Sequence, residues 1–275
     1  MTTALARVAA VQMVSGTRVD DNLRAAGALI EEAAGTGAQL VALPEYFCLM
    51  GQRDTDKVVA REPDGNGPIQ DFLAEQARRH RLWLVGGTLP LVAVEADRVM
   101  NSVLVYGPDG MRVARYDKIH LFRFTKGSET YDEARTIAPG SQVSTFVFAP
   151  PGGPRLTVGL SVCYDLRFPE LYRAMPRPDL ILVPAAFTAT TGKAHWELLL
   201  RARAVENLAY VLAPAQGGRH ENGRSTFGHS MLIDPWGTVL ASRPDGPGVV
   251  FGDIDPQVIA SCRTSLPALE HRTLC

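Results

Sequence analysis

The chain has 275 residues with 28 basic and 29 acidic side chains, which gives a formal net charge of −1. This balance argues against a protein built mainly to bind nucleic acid or an anionic membrane surface. Hydrophobic residues make up 46% of the chain and charged residues 21%, values typical of a soluble globular protein. No apolar run approaches the roughly 20 residues that cross a bilayer.

Short apolar runs alternate with amphipathic segments along most of the chain, which predicts helices outside a mixed sheet system. In the first predicted helix, Asp20 or Asp21 should cap the start and Gly35 should close the end. Pro68 suits the first turn of the second. We predict strand 7–14, helix 19–35, strand 38–44, helix 66–80, strand 82–89, a hairpin over 98–119, a strand pair over 144–162, strand 179–187, helix 193–207, strand 209–216, a hairpin over 228–242, strand 248–255 and a short helix near 255–263.

The N-terminal apolar stretch is interrupted by Gln12 and is interpreted as a buried strand rather than a signal peptide. We therefore expect a cytoplasmic protein. Many of the strands lack polar alternation, which predicts sheets covered on both faces. No internal repeat or low-complexity linker divides the chain, so we expect one domain over residues 1–275.

The cysteines are spaced too widely for a disulfide framework, and no CxxC pair occurs. The six histidines form no HxxxH or HExxH pattern, so a structural zinc site is not expected. His220 and His229 lie nine residues apart without a third ligand and should hydrogen-bond locally. We predict no metal and no cofactor. Cys48, Cys262 and Cys275 are interpreted as structural or incidental thiols.

Three predicted strands each deliver one ionisable side chain just past the C-terminal end. "LVALPEYF" delivers Glu45, "MRVARYDKIHLF" delivers Lys118 and "LTVGLSVCYDLRF" delivers Cys163. Ligands of layered α/β folds bind outside the carboxyl ends of strands, so these groups could converge in one pocket. Taken singly, the cysteine could be a core residue, the glutamate a salt-bridge partner and the lysine a solvated loop residue.

Together the three groups have the chemistry of acyl transfer. A nearby ammonium group and the backbone amides at the start of a helix over 164–170 would lower the pKa of the thiol. A carboxylate can accept the thiol proton and later pass it to a leaving amine. The sequence therefore favours thioester formation, loss of an amine and hydrolysis.

The segments "LPEYF", "YDKIHLF" and "GLSVCYDLRFPELYR" resemble the signature segments of the carbon–nitrogen hydrolase (nitrilase) superfamily. This resemblance runs from "VAAVQM" to "LPALEHR" and implies an α/β fold, a four-layer α-β-β-α sandwich. It also implies a Glu-Lys-Cys triad, with Glu45 as general base, Lys118 as oxyanion stabiliser and Cys163 as nucleophile. A second family glutamate corresponds to Glu133, which would orient Lys118, with Glu129 as a less well placed alternative.

The second half of the chain resembles the Nit branch of the superfamily, through "FTATTGKAHWELLLRARAVEN" and "AQGGRHENGRSTFGHSMLIDPWGTV". This branch contains ω-amidases and deaminated glutathione amidases, both acting on α-keto acid amides, and "AQGGRH" and "LPALEHR" are closer to the second type. Arg123 departs from the acidic residue that this group commonly carries after "KIHLF". The lid-like segment 123–132 is therefore expected to differ.

A substrate with carboxylates implies a cationic pocket. Arg167 could instead pair with Asp165 or Glu170 and hold the nucleophile turn, Arg173 should be a surface or interface residue, and Trp196 should pack. The candidate cations are Arg123, Lys126, Arg167, Arg173 and Arg219. The candidate substrate-binding residues are Tyr46, Arg123, Tyr164, Phe187, Thr188 and His195, and the Tyr164 amide is expected to bind the oxyanion.

We therefore predict a cofactor-free amidase that hydrolyses a small carboxylate-bearing α-keto acid amide and releases ammonia. An ω-amidase acting on α-ketoglutaramate or α-ketosuccinamate, an aliphatic amidase or nitrilase, and a catalytically silent scaffold relative remain alternatives. The resemblance implies a homodimer or higher homo-oligomer, pairing near the nucleophile helix and the C-terminus. The expected partner is a small-molecule amide, with no nucleic acid and no membrane.

Overall fold

The structure is a computed structural model that describes residues 4–127 and 129–273, so Cys275 lies outside the described residues. In chain order its strands are β1 (Ala6–Gln12), β2 (Leu40–Ala42), β3 (Trp83–Val85), β4 (Leu89–Val92), β5 (Val99–Tyr106), β6 (Arg112–Asp117), β7 (Arg123–Lys126), β8 (Glu129–Asp132), β9 (Ile137–Ala138), β10 (Thr145–Phe148), β11 (Leu156–Leu160), β12 (Leu180–Leu182), β13 (Tyr210–Ala213), β14 (Gly217–Arg219), β15 (Ser225–Phe227), β16 (Ser230–Ile233), β17 (Val239–Arg243) and β18 (Gly248–Ile254). The α-helices are α1 (Val19–Gly35), α2 (Asp56–Val59), α3 (Pro68–His80), α4 (Pro169–Ala174), α5 (Ala189–Asn207) and α6 (Pro256–Ser265), and short 3₁₀ helices cover Glu133–Arg135 and Cys163–Arg167.

Two large sheets face each other. The first has the order β18-β1-β2-β3-β5-β4, and β6 and β9 also pair with β5. The second has the order β10-β11-β12-β13-β16-β17. Three successive strands run parallel in each sheet, β1-β2-β3 in the first and β11-β12-β13 in the second. Parallel strands bring their carboxyl ends to the same edge of a sheet, which is where a site is expected.

The side chains of β1 show why the layers form. Val8 and Ala10 join the buried cluster between the two sheets, whereas Ala9 and Val11 join the cluster beneath α1 and α3. A strand that is apolar on both faces must be covered on both faces. Helices α4 and α5 cover the second sheet, where Trp196 is fully buried. The predicted four-layer α-β-β-α sandwich is confirmed.

Most predicted elements occur, with local corrections. Helix α1 has the predicted bounds, but Arg18 occupies its N-cap position without a side-chain cap. Asp20 and Asp21 instead lie in the first turn, where a carboxylate interacts favourably with the helix dipole. Helix α5 begins at Ala189, four residues before its predicted start, because the Thr188 side chain accepts a hydrogen bond from the backbone N–H of Thr191.

The predicted strand 82–89 is divided into β3 and β4 at Gly86 and Gly87. Gly87 has φ = +53°, and a Cβ there would lie 2.1 Å from the carbonyl oxygen of Pro44. This close approach requires glycine and turns the chain beside the segment that carries Glu45. None of the helices within 4–127 and 129–273 is both long and apolar enough to traverse a membrane.

Candidate active site

The structure brings together the side chains that follow three strand ends. Glu45 lies three residues beyond β2, Lys118 directly follows β6, and Cys163 lies three residues beyond β11. The Lys118 Nζ is 2.8 Å from Glu45 Oε1, and one pocket wall includes both Glu45 and Cys163. The first two residues come from one sheet and the cysteine comes from the other, so the site forms where the sheets meet.

Lys118 is completely buried between two carboxylates. Its Nζ donates to Glu45 and to both oxygens of Glu133, at 3.0 and 2.8 Å. Burial lowers the pKa of Lys118, but the negative charges of Glu133 and Glu45 outweigh it, so the pKa lies well above its usual range. The side chain is therefore a fixed ammonium group.

Glu133 is held by more than the lysine. Its Oε1 accepts from the Tyr46 hydroxyl at 2.9 Å and its Oε2 accepts from the Phe122 backbone N–H at 2.7 Å. Burial raises the pKa of Glu133, but Lys118 and these hydrogen bonds hold it below its ordinary value. Glu129, the sequence alternative, instead accepts from the Thr190 hydroxyl at 3.0 Å. The geometry thus brings Glu133, not Glu129, to Lys118.

Glu45 is oriented by neighbours from both sheets. Its Oε1 also accepts from Asn101 Nδ2 at 3.0 Å, and its Oε2 accepts from the Ala186 backbone N–H at 3.0 Å. Asn101 lies inside β5, away from any strand end, so the strand-end pattern could not predict its role. With 1% of its surface exposed, the carboxylate can exchange a proton only with groups inside the pocket.

Cys163 occupies a constrained turn. Its φ is +51°, a left-handed conformation that is uncommon outside glycine, and its N–H donates to the Pro184 carbonyl at 2.9 Å. Burial raises the pKa of the thiol well above its usual range, Glu45 adds to this, and Lys118 lowers it. Lys118 thus lowers the pKa of the thiol as expected, but burial and Glu45 outweigh it, so the net shift is opposite to the predicted one.

Asp165 braces the nucleophile turn. This fully buried carboxylate accepts from the Tyr116 hydroxyl at 2.7 Å and from the Val162 backbone N–H at 2.9 Å. It also contacts the backbone N–H and Nδ1 of His120, at 3.0 and 2.7 Å. Asp165 thus links the turn that carries Cys163 to the segment after Lys118, and the sequence did not predict this contact.

Arg167 does not share this role. Within the described residues it forms no ion pair with Asp165 or Glu170, which corrects that alternative. Asp165 is already occupied, and the Arg167 guanidinium lies over the rings of Tyr164 and Phe187 at 5.7 and 5.6 Å. Arg167 therefore enters the pocket wall as a cation without a carboxylate partner in the described chain.

The pocket beside Cys163 includes some of the predicted substrate contacts. Tyr164, Phe187 and Thr188 lie in its wall, and Tyr46 reaches the site through Glu133. The backbone N–H of Tyr164 is in the first turn of a 3₁₀ helix, where it has no acceptor within the helix. The full wall consists of Glu45, Phe122, Glu133, Cys163, Tyr164, Arg167, Ala186, Phe187, Thr188, Thr191 and Arg224.

Other predicted residues lie outside this wall. Arg123 is exposed on the β7–β8 hairpin, because it is the neighbouring Phe124 that turns inward to stack on Phe122 at 5.9 Å. His195 is exposed on α5, with its Nδ1 3.3 Å from Arg167. Neither side chain is part of the wall beside Cys163.

The remaining candidate cations also lie elsewhere. Lys126 and Arg219 are exposed, and Arg173 lines a separate cavity. Arg224, which the sequence did not single out, is the second arginine of the pocket wall. It lies on the β14–β15 hairpin, away from the strand ends that carried the prediction.

His220 and His229 hydrogen-bond locally and Trp196 packs in the core, as the sequence predicted. His220 is buried, and its two ring nitrogens lie 2.9 Å from the Ser15 carbonyl and 2.8 Å from the Thr226 hydroxyl. The Nδ1 of His229 lies 2.9 Å from the Phe227 carbonyl. Trp196 packs on Phe187 with ring centroids 4.8 Å apart, as its predicted packing role requires.

Known proteins resemble this chain over nearly its whole length. The family model described as "Carbon-nitrogen hydrolase" matches residues 7–264. A deaminated glutathione amidase from Synechocystis sp. is 41% identical, covering 96% of this chain and 97% of the relative. The human omega-amidase NIT2 is 36% identical, covering 97% and 94%. The crystal structure of Nit3 from Saccharomyces cerevisiae, described as a member of branch 10 of the nitrilase superfamily, superposes with a TM-score of 0.87 at 30% identity, covering 98% of this chain and 97% of that one.

Proposed function

Because this chain belongs to the carbon–nitrogen hydrolase family and is a hydrolase of amide C–N bonds, we propose that Cys163 is its nucleophile. Glu45 acts as general base, Lys118 stabilises the oxyanion and Glu133 positions the lysine. One observation carries the proposal: a buried ammonium group, held by two carboxylates, shares a closed site with a thiol.

The first half of the reaction forms a thioester. The Cys163 thiol gives its proton to Glu45 as the sulfur attacks the amide carbonyl carbon, and the carbonyl electron pair moves onto oxygen. Lys118 Nζ and the Tyr164 N–H stabilise that oxyanion, and losing one such donor typically costs about 10²–10³ in rate. When the C–N bond breaks, the amine takes the proton from Glu45 and leaves.

The second half returns the enzyme to its starting state. Glu45 accepts a proton from a water molecule as that water attacks the thioester carbonyl. Collapse of the second tetrahedral intermediate breaks the C–S bond, and the sulfur regains its proton. The acyl group leaves as a carboxylic acid, so each turnover consumes one amide and one water molecule.

We infer that the substrate is a small α-keto acid amide with at least one carboxylate, as the names of the relatives suggest. Arg167 and Arg224 in the pocket wall support an anionic substrate. A deaminated glutathione-like substrate is the first candidate and an ω-amide such as α-ketoglutaramate the second. Ammonia is the leaving group of a primary amide, whereas the substituted amide of a glutathione derivative releases a larger amine.

We also infer one domain, a homodimer and a cytoplasmic location. The family match over 7–264 and the core shared by both sheets support a single domain over 1–275.

A surface cavity lies between α4 and residues 271–273, and the buried Nη1 of Arg173 beside it has no hydrogen-bond partner in the described residues. These features support a dimer contact at this surface. Free thiols at Cys48, Cys163 and Cys262 support a reducing compartment. Sedimentation at working concentration should show at least a dimer.

The experiment that tests this function compares four substrates with the wild-type chain and two variants. The substrates are deaminated glutathione, α-ketoglutaramate, a simple aliphatic amide and a nitrile, with mass spectrometry detecting both acid and amine products. Cys163→Ala should reduce turnover to background, whereas Cys262→Ala, on partly exposed α6, should keep it. Full turnover by Cys163→Ala would exclude the mechanism.

A further inference from the structure

Three cavities follow one another outward from Cys163. The inner pocket has a volume of ≈ 10 Å³, which is space for about one water molecule. A middle cavity of ≈ 30 Å³ shares Phe122 and Glu133 with it, and an outer cavity of ≈ 170 Å³ shares Tyr46, Lys57 and Tyr131 with the middle one. Only the reacting end of a substrate fits at the inner pocket, so the rest must extend outward.

Arg224 lines all three cavities. Its guanidinium lies over the Tyr131 ring at 5.0 Å, and its Nη2 donates to the Ala186 carbonyl at 3.2 Å. Its Nε is buried without a hydrogen-bond partner, and no carboxylate in the described residues forms an ion pair with it. The guanidinium is half-buried and lines the cavities, and a positive charge without an ion-pair partner there attracts a carboxylate, since charge-assisted hydrogen bonds are the strong ones.

Lys57 contributes a second cation to the outer cavity. Its Nζ lies 3.3 Å from the Thr136 hydroxyl and 5.8 Å from the centre of the Tyr46 ring. Burial lowers the pKa of Lys57, Asp54 and Glu133 raise it, and the positive charges of Arg224 and Lys118 lower it further. Lys57 and Arg224 line the same cavity and repel each other, so both attract an anion. The charged residues lining the outer cavity are Arg53, Asp54, Lys57 and Arg224.

We propose that Arg224, together with Lys57, binds a substrate carboxylate that is remote from the reacting carbonyl. The inference rests on the proposed function, because it requires an amide that reacts at Cys163. It adds a binding site for the second end of the substrate, which begins at the wall of the catalytic pocket and continues into the outer cavity. The carboxylate belongs either to the acyl half or to the amine half, and matched substrates separate these two sources.

Two substrate pairs, each differing in one carboxylate, test the proposal. In the first pair the terminal carboxylate of deaminated glutathione is replaced by a carboxamide, which changes only the amine half. In the second, α-ketoglutaramate is compared with 4-oxopentanamide, in which a methyl group replaces the acyl-half carboxylate. The wild-type chain should prefer the acid in at least one pair by on the order of 10- to 100-fold in kcat/KM.

Arg224→Gln should reduce that preference at least tenfold, mainly through KM, and Arg224→Lys should restore part of it. Lys57→Gln should reduce it less. Arg219→Gln is the matched control, because Arg219 is exposed on the same hairpin and should leave the preference unchanged. Thermal unfolding of each variant shows whether it folds.

A uniform loss of kcat for acid and neutral substrates in Arg224→Gln would overturn the proposal, because it would mean that Arg224 only balances the charge of Glu133. An unchanged preference would overturn it too. As a second measurement, calorimetry should show 2-oxoglutarate or cysteinylglycine binding at least fivefold more weakly to Arg224→Gln/Cys163→Ala than to Cys163→Ala. Failure of the proposed function gives a different result: no amide is hydrolysed by the wild-type chain.

Discussion

Replacing Glu133 by glutamine removes one charge from the buried cluster while changing little of its shape. The carboxylate accepts from Lys118 at both oxygens, from Tyr46 and from the Phe122 N–H. Glutamine has a single acceptor oxygen, which the Phe122 N–H should engage because a backbone donor cannot turn away. The new NH₂ group then faces Lys118 and the Tyr46 hydroxyl, so one contact of the ammonium group becomes a donor–donor contact.

Breaking a buried ion pair costs about 3–5 kcal/mol, and glutamine retains part of the contact, so we expect about 3 kcal/mol of lost stability. For a chain of this size that lowers the Tm by roughly 6–12 °C. A misplaced oxyanion donor should lower kcat by about 10²–10³. Because Glu133 helps raise the pKa of Lys118, the alkaline limb of the pH–rate profile should also move to lower pH, an effect that loss of packing alone would not produce.

The assays are kcat and KM over a pH series, and thermal unfolding. Glu129→Gln is the matched control, since Glu129 begins β8, four residues before Glu133, but contacts Thr190, and its kcat should stay within about threefold of wild type. Equal losses in both variants, or a Glu133→Gln enzyme with more than a third of wild-type kcat, would refute the reasoning.

Three other predictions concern the same cluster. Glu45→Gln should lower turnover by about 10²–10⁴ through loss of the general base. Iodoacetamide should nevertheless label Cys163 faster in this variant at pH 9, because the charge of Glu45 raises the pKa of that thiol. Slower labelling, measured by mass spectrometry, would contradict this prediction. Asp165→Asn should cost about 3 kcal/mol in urea unfolding, because an amide cannot accept from all its donors; a loss below about 1 kcal/mol would count against it. The pKa of Glu133 is lowered in the folded state, so the ionised carboxylate stabilises the fold above its ordinary pKa of about 4.3. This stabilisation is lost as the pH falls through the lower pKa of the folded state. The urea midpoint should therefore decline less steeply between pH 5 and pH 3 for Glu133→Gln than for the wild-type chain.

The sequence predicted what depends on periodicity and on strand ends. The two apolar faces of β1 indicated a layered fold, and the strand-end pattern selected Glu45, Lys118 and Cys163. It could not reveal Arg224, because that side chain reaches the pocket from a hairpin, and the sequence does not record which hairpin folds over the site. Nor could local sequence show that Asp165 binds elements distant along the chain.

The raised pKa of Cys163 is consistent with its proposed role once the charge of the whole cluster is counted. Glu45, Lys118 and Glu133 together carry one net negative charge, and a thiolate would bring a second into a buried site. A neutral thiol avoids that cost, because burying an additional charge without a partner is unfavourable. When the sulfur attacks, its proton neutralises Glu45 while a negative charge appears on the substrate oxygen, so the net charge of the site does not change. The charge only moves from one partner of Lys118 to another, and the lysine needs no rearrangement to stabilise it, which is the preorganisation that accelerates acyl transfer.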